Sequence, residues 1–289
     1  MLFVKLASMQ NIVHFFQHIQ SWQRSLILIS GIVFFWIIEG IIPLFRFRYN
    51  KFKHAGLNLF FTFTTVIINF LFAFLIVFAS DYTSQNKLGL LYIFRLPLWL
   101  FIIFGLMIMD LIGAWFIHWI EHKIKWMWKF HIVHHADLWV DTTTANRHHP
   151  GESVFRALFT LIGVIIAGAP IWLVFVYQAL SVLLSQFNHA NISLPKSLDN
   201  IISWVIVSPD MHKVHHHYVQ PLTDSNYGNI FSFWDRIFGT FEYVKDTRKL
   251  KYGIDSYMQE QENNRMKKLL TIPFDTYRPP VGAKFSEGK

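Results

Sequence analysis

The sequence predicts an all-α integral membrane protein: about three transmembrane helices plus a helical hairpin, with a histidine-rich helical cap on the cytoplasmic side. Three observations lead there. Of its 289 residues, 53% are hydrophobic and only 15% charged, where soluble domains carry about 25%. The apolar residues come in runs close to the roughly 20 residues that cross hydrocarbon as a helix. Basic residues gather at the ends of those runs, as topology signals do.

Residues 1–24 are expected to be an interfacial segment. Its His14 and His18 share the i, i+4 spacing but are read as part of a surface amphipathic stretch. No signal-peptide core with a small-residue cleavage site is recognisable, so the first apolar run is expected to stay as an anchor. That run, 25–42, holds one charge, Glu39, for which a functional role and snorkelling are both open. Residues 57–79 hold none. Residues 96–109 hold none, and the run is almost as apolar from 90 to 111. Residues 154–187 are too long for one crossing and break at Gly168-Ala169-Pro170, which predicts a hairpin, either re-entrant or of two short spans.

Arg46, Arg48, Lys51 and Lys53 follow the first run. Lys123, Lys125 and Lys129 follow the third, and Arg147 and Arg156 lie at the hairpin entrance. The loop 80–89 has only Lys87, balanced by Asp81. The positive-inside rule then puts 43–56 and everything from about 115 onward in the cytoplasm. The net charge of +8 is thereby assigned to topology, and no nucleic-acid partner is expected. One membrane domain, 1–289, is the economical division: spans at 25–112, a histidine-rich region at 113–245 containing the hairpin, and a polar tail at 246–289. There is no cysteine, hence no disulfide and no thiolate metal site.

The chemistry is carried by three clusters: His118-x-x-x-His122, His131-x-x-His134-His135 and His212-x-x-His215-His216. Helix positions i, i+3 and i+4 share a face, so each cluster can aim imidazoles at one point. Imidazole is the commonest metal ligand, and eight such residues, with His149 and His189 alike in type, suffice for two ions. Clusters precede and follow the hairpin. They can share one site only if an even number of crossings separates them, in agreement with the charge pattern. They sit just beyond the apolar runs, whereas a transporter tends to place ionisable groups near the midplane.

No Glu-x-x-His pair of the soluble di-iron bundles is present. A histidine-rich dinuclear site still suits iron. Unactivated C–H bonds of a lipid chain resist acids and bases, and their cleavage needs dioxygen and two electrons at a metal. The pattern therefore points to an oxygenase or desaturase acting on lipid. His118-Trp-Ile-Glu121-His122 also matches the H-x-x-E-H of inverzincin peptidases, but that leaves two clusters without a role. Glu121 is then expected on a helix surface or behind the ligands. His54, among basic residues, is expected to be solvated. Asp110, Asp137 and Asp210 are candidates to accept the second N–H of a ligand imidazole.

Over about residues 95–245 the sequence resembles the fatty acid hydroxylase/sterol desaturase superfamily. The resemblance rests on the HxxxH and HxxHH clusters, Asp137, and Thr144-Ala145-Asn146-Arg147-His148-His149-Pro150, similar to T-x-x-R-x-H-P. It continues through Asn188-His189-Ala190-Asn191, the 209–216 run, Asn226-Tyr227-Gly228 and Trp234 to Thr240. It implies a membrane lipid hydroxylase using O2 and two iron ions, with zinc as a substitute on overexpression. A desaturase on the same site is the rival, and a membrane metal-binding or transport protein is the alternative of another class. The implied ligands are His118, His122, His131, His134, His135, His189, His212, His215 and His216, with His149 as a tenth. His148 occupies a usually aromatic or apolar position and is expected to be a neighbour; His217 is expected to be solvated. Trp119 and Ala136 stand where many members carry Arg and Ser. No haem, flavin or iron–sulfur domain is recognisable, so a separate electron-carrier protein is expected beside the lipid substrate.

Overall fold

The computed structural model describes residues 2–285, with side chains from residue 9 onward. The described residues form helices joined by short irregular segments, with only isolated β-bridges. Five helical stretches are long and apolar enough to cross a membrane. After α1 (Leu2–Gln17) come α2 (Ser21–Ile41) and α3 (Lys51–Gln85). The third stretch, Leu98–Lys123, is α4 (Leu98–Asp110), a π-helical turn (Leu111–Phe116) and α5 (Ile117–Lys123) in continuous succession. After α6 (Lys125–His135), α7 (Pro150–Ala167) and α8 (Ile171–His189) form the hairpin. The cap adds α9 (Lys196–Ile202), α10 (Pro209–His215) and α11 (Phe233–Ile237).

Apolar side chains point outward along the long helices, as a lipid solvent requires: Phe63, Phe70, Phe74 and Phe78 of α3 are all exposed. The predicted runs are all found, with shifted ends. The third begins at Leu98, because Pro97 precedes the helix and residues 90–92 form a 3-10 turn. The hairpin breaks where predicted. Gly168 closes α7 at φ +71°, and a Cβ there would lie 1.9 Å from the Leu88 carbonyl oxygen. Only glycine tolerates both conditions. Ser80 Oγ donates to the Ala169 carbonyl at 2.7 Å. The hairpin tip therefore packs on the loop after α3, at the far end of the bundle from the histidines. Both arms of the hairpin, α7 and α8, are long and apolar enough to cross a membrane.

The stretch expected to be a polar tail folds back. Ile254, Tyr257, Leu269, Ile272 and Tyr277 share one buried cluster with Trp128, Ile132 and Val133 of α6 and Phe61 of α3. Each fully buried side chain of this size contributes about 1.5–3 kcal/mol. They clamp α6, and with it the second histidine cluster, against the bundle.

Candidate metal centre

Nine histidines converge in two adjoining groups. His118, His122, His131, His135 and His215 form one; His134, His189, His212 and His216 form the other; within each, the donor atoms lie within 4.8 Å of one another. All nine are buried. The groups abut: the His135 and His216 rings are 4.8 Å apart and those of His131 and His134 5.1 Å. The HxxHH pattern itself divides the labour. His131 and His135, one turn apart on α6, face one group, while His134 faces the other.

Local structure aims these side chains. The π-helical turn ahead of α5 inserts one extra residue into Leu98–Lys123. That rotates the face presented by His118 and His122 by about 100° relative to an unbroken α-helix. Ser208 caps α10 through Met211 N, fixing the turn that carries His212 and His215. His189 is the last residue of α8.

Hydrogen bonding shows which nitrogens remain free. Nδ1–H donates to the Tyr227 carbonyl from His118 (2.9 Å), to Ser185 O from His189 (2.8 Å) and to Ser225 O from His215 (2.6 Å). His131 Nδ1 donates to Glu152 Oε1 at 2.7 Å and His122 Nδ1 to Asp224 Oδ1 at 3.2 Å. These acceptors are carbonyls and carboxylates, so each of the five imidazoles is fixed with its proton on Nδ1 and a bare lone pair on Nε2. Yet Nε2 of His118 and His131 face each other at 3.1 Å, and Nε2 of His122 and His215 have no partner among the described residues. Two facing lone pairs at that distance repel unless a cation lies between them. For metal–nitrogen bonds of about 2.1 Å, adjacent ligands at right angles sit about 3.0 Å apart. The His131–His135, His134–His189 and His189–His212 Nε2 pairs, at 3.0–3.1 Å, share this spacing. The donor set fits a pair of metal ions held mainly by imidazole.

Electrostatics agree. Burial, with the neighbouring histidines, holds the imidazoles of His131, His134, His135, His212, His215 and His216 well below their ordinary pKa. They are neutral at pH 7, the ligating form.

Several sequence expectations are corrected. His149 does not join either group: its Nδ1 accepts the Gly151 N–H at 3.0 Å as the cap of α7, and its Nε2 meets the Leu270 carbonyl at 3.3 Å. Both ring nitrogens are committed, so no lone pair is left for a metal. His148 lies closer, stacked on His134 at 4.9 Å and hydrogen-bonded through Nδ1 to Glu152. Asp110 touches no imidazole; it accepts from Ile230 N, Phe231 N and Trp234 Nε1, each at 3.1 Å. Asp137 does hold an imidazole, but that of His54, at 2.9 Å. His54 is thus buried, not solvated. Asp210 has no hydrogen bond to an imidazole among the described residues, and its Oδ1 has no partner. Glu39 does not snorkel: buried, it accepts the Thr142 and Asn191 N–H groups at 2.7 and 2.9 Å. It thereby ties together the loops that follow α6 and α8. His217 is half-buried and pairs with Tyr252. His14 and His18 are exposed.

The carboxylates that do orient clustered imidazoles, Glu152 and Asp224, were not singled out from the sequence. Glu152 had a weak signal, three residues after His149 in the first turn of a helix. Asp224 lies 102 positions from His122 and had none. Glu121 is fully buried and pinned by Arg156 Nη2 at 2.6 Å, an arrangement that suits charge balance rather than a peptidase base.

Comparison with known proteins agrees with this geometry. The fatty acid hydroxylase family matches residues 102–240, a stretch that contains all nine clustered histidines. The chain is 29% identical over 143 residues to ornithine lipid hydroxylase OlsE of Rhizobium tropici, covering 48% of this chain and 41% of that protein. It is 29% identical to methylsterol monooxygenase 2-2 of Arabidopsis thaliana, covering 61% of this chain and 66% of the relative. It is 27% identical to alkylglycerol monooxygenase of Xenopus tropicalis, covering 58% and 32%. The chain thus spans less than two thirds of each of these relatives. No solved structure matches it. The match to the fatty acid hydroxylase family thus falls on the stretch of this chain that carries the histidine clusters, and the likeness is to lipid and sterol hydroxylases and monooxygenases.

Proposed function

We propose that this chain is a membrane oxidoreductase that hydroxylates a C–H bond of a lipid. One observation carries the reading: nine buried imidazoles, five of them locked with bare Nε2 lone pairs, converge in two groups beside membrane-length helices. Held there, two iron ions would supply the dioxygen chemistry that an unactivated C–H bond demands. The reaction consumes O2, two electrons and two protons and yields C–OH and water. The electrons come from a separate carrier protein. The chain's own part is to keep nine imidazoles neutral and oriented, and to exclude water from them by burial. The ligands are His118, His122, His131, His134, His135, His189, His212, His215 and His216, on the cytoplasmic face of one membrane-embedded domain.

Relatives named for hydroxylating an ornithine lipid and for monooxygenation of methylsterols and alkylglycerols favour oxygen insertion over desaturation. The test compares lipid extracts from cells with and without the chain, grown under 18O2. A lipid heavier by one labelled oxygen is expected. A lipid lighter by two hydrogens would establish the desaturase instead. Bound metal with unchanged lipids would favour metal binding or transport.

A further inference from the structure

Resting on that dinuclear reading, we infer that the two metal positions are unequal: the five-histidine position holds its ion tightly, and the four-histidine position is labile. The two groups differ in how their imidazoles are supported. In the first, His118, His122, His131 and His215 each donate Nδ1–H to a fixed acceptor. There only His135 lacks one; in the second, only His189 has one, and Nδ1 of His134, His212 and His216 has no partner among the described residues. Unsupported imidazoles must be ordered by the ion itself, which costs affinity.

Charge divides the same way. Two imidazoles of the first group are backed by carboxylates, Asp224 and Glu152, and Glu121 lies 3.8 Å from His131 Nδ1. Arg156 and Lys123 pair with these acids, so the charge beside that ion is balanced rather than positive. No carboxylate bonds an imidazole of the second group among the described residues. Asp137, which acts on His216 through space, is already engaged by His54 and Arg147. The buried Lys213, between His212 and Val214, sends its ammonium to the Ala190 carbonyl, next to His189. A cation there repels a second cation. Ligand number, orientation and charge therefore all favour the same position.

The experiment loads the purified full chain with two equivalents of Zn2+ in detergent and counts zinc per chain as chelator strength rises. Carboxylate support of a ligand histidine is worth about 10–100-fold in affinity. Two such supports predict two release steps separated by about 100-fold or more. Asp224→Asn and Glu152→Gln should each weaken the tight step about 10–100-fold and leave the labile step in place, and Asp224→Glu should restore it. His212→Ala should keep one tightly held zinc, whereas His122→Ala should lose the tight step. Wild-type protein releasing both ions in one step would overturn the inference without reference to any variant, as would carboxylate variants that move only the labile step. Saturation at a single zinc would instead overturn the dinuclear reading itself.

Discussion

Asp235 lies in the cap, yet it decides where His118 points. It is fully buried. Its Oδ1 accepts from Trp115 Nε1 (2.9 Å), Tyr227 N (2.8 Å) and Thr240 Oγ1 (2.7 Å), and its Oδ2 accepts from Gly228 N (2.9 Å). The Tyr227 carbonyl, one peptide away, is the acceptor for His118 Nδ1. Asp235→Ala strands three N–H donors. Each buried unsatisfied donor costs about 1–3 kcal/mol, so the loss is about 3–6 kcal/mol once some water enters. At about 2–4 °C per kcal/mol, the unfolding midpoint falls by roughly 10 °C. Asp235→Asn keeps Oδ1 but turns an amide N–H toward Gly228 N–H, so one donor is lost, at about 1–3 kcal/mol. The order wild type, Asn, Ala should appear both in thermal unfolding in detergent and in bound metal per chain. Asp81→Ala, on the exposed end of α3, should stay within about 0.5 kcal/mol. An Asp235→Ala protein that melts within about 1 °C of wild type and binds two metals would refute this account of the cap.

Three further outcomes are expected. His149→Ala should cost about 1 kcal/mol of stability as the loss of a helix cap while leaving metal content unchanged, in contrast to His131→Ala; a loss of one metal would make it a ligand after all. Removing metal with a chelator should lower the unfolding midpoint, since ligand at about 100 times its Kd stabilises by about 2.7 kcal/mol; equal midpoints of loaded and stripped protein would contradict a built site. Single cysteines, easily placed because the chain has none, should be labelled from one side at Asn86 and from the other at Lys129; same-side labelling would overturn the topology.

The membrane spans were legible because their signal is local. Runs free of charge are visible without any tertiary knowledge, and so is the break at Gly168-Ala169-Pro170. Their ends were less so: Pro97 and the turn at 90–92 shortened the third run, and hydropathy does not register either. The tail at 250–277 was taken for polar because its buried residues, such as Tyr252, Tyr257 and Leu269, are spaced singly among charges.

The sequence by itself determined the inventory of the site: which histidines lie at helical spacing, and on which side of the hairpin. Helix periodicity is a property of neighbours, so i, i+3 and i+4 reveal a shared face. Tertiary structure decided everything that depends on partners far along the chain. It split each HxxHH between two groups, because His131 and His134 point to different sides of one turn. It gave His131 to Glu152 and His122 to Asp224, and it sent Asp110 and Asp137 elsewhere. It made a helix cap of His149 and a stacked neighbour of His148, a choice between adjacent residues that only the backbone of one loop could settle. It buried His54 and Glu39, whose surroundings in sequence are basic or apolar but whose partners in space are an aspartate and two backbone N–H groups. A buried charge or lone pair takes its meaning from the group it faces, and packing, not composition, chooses that group.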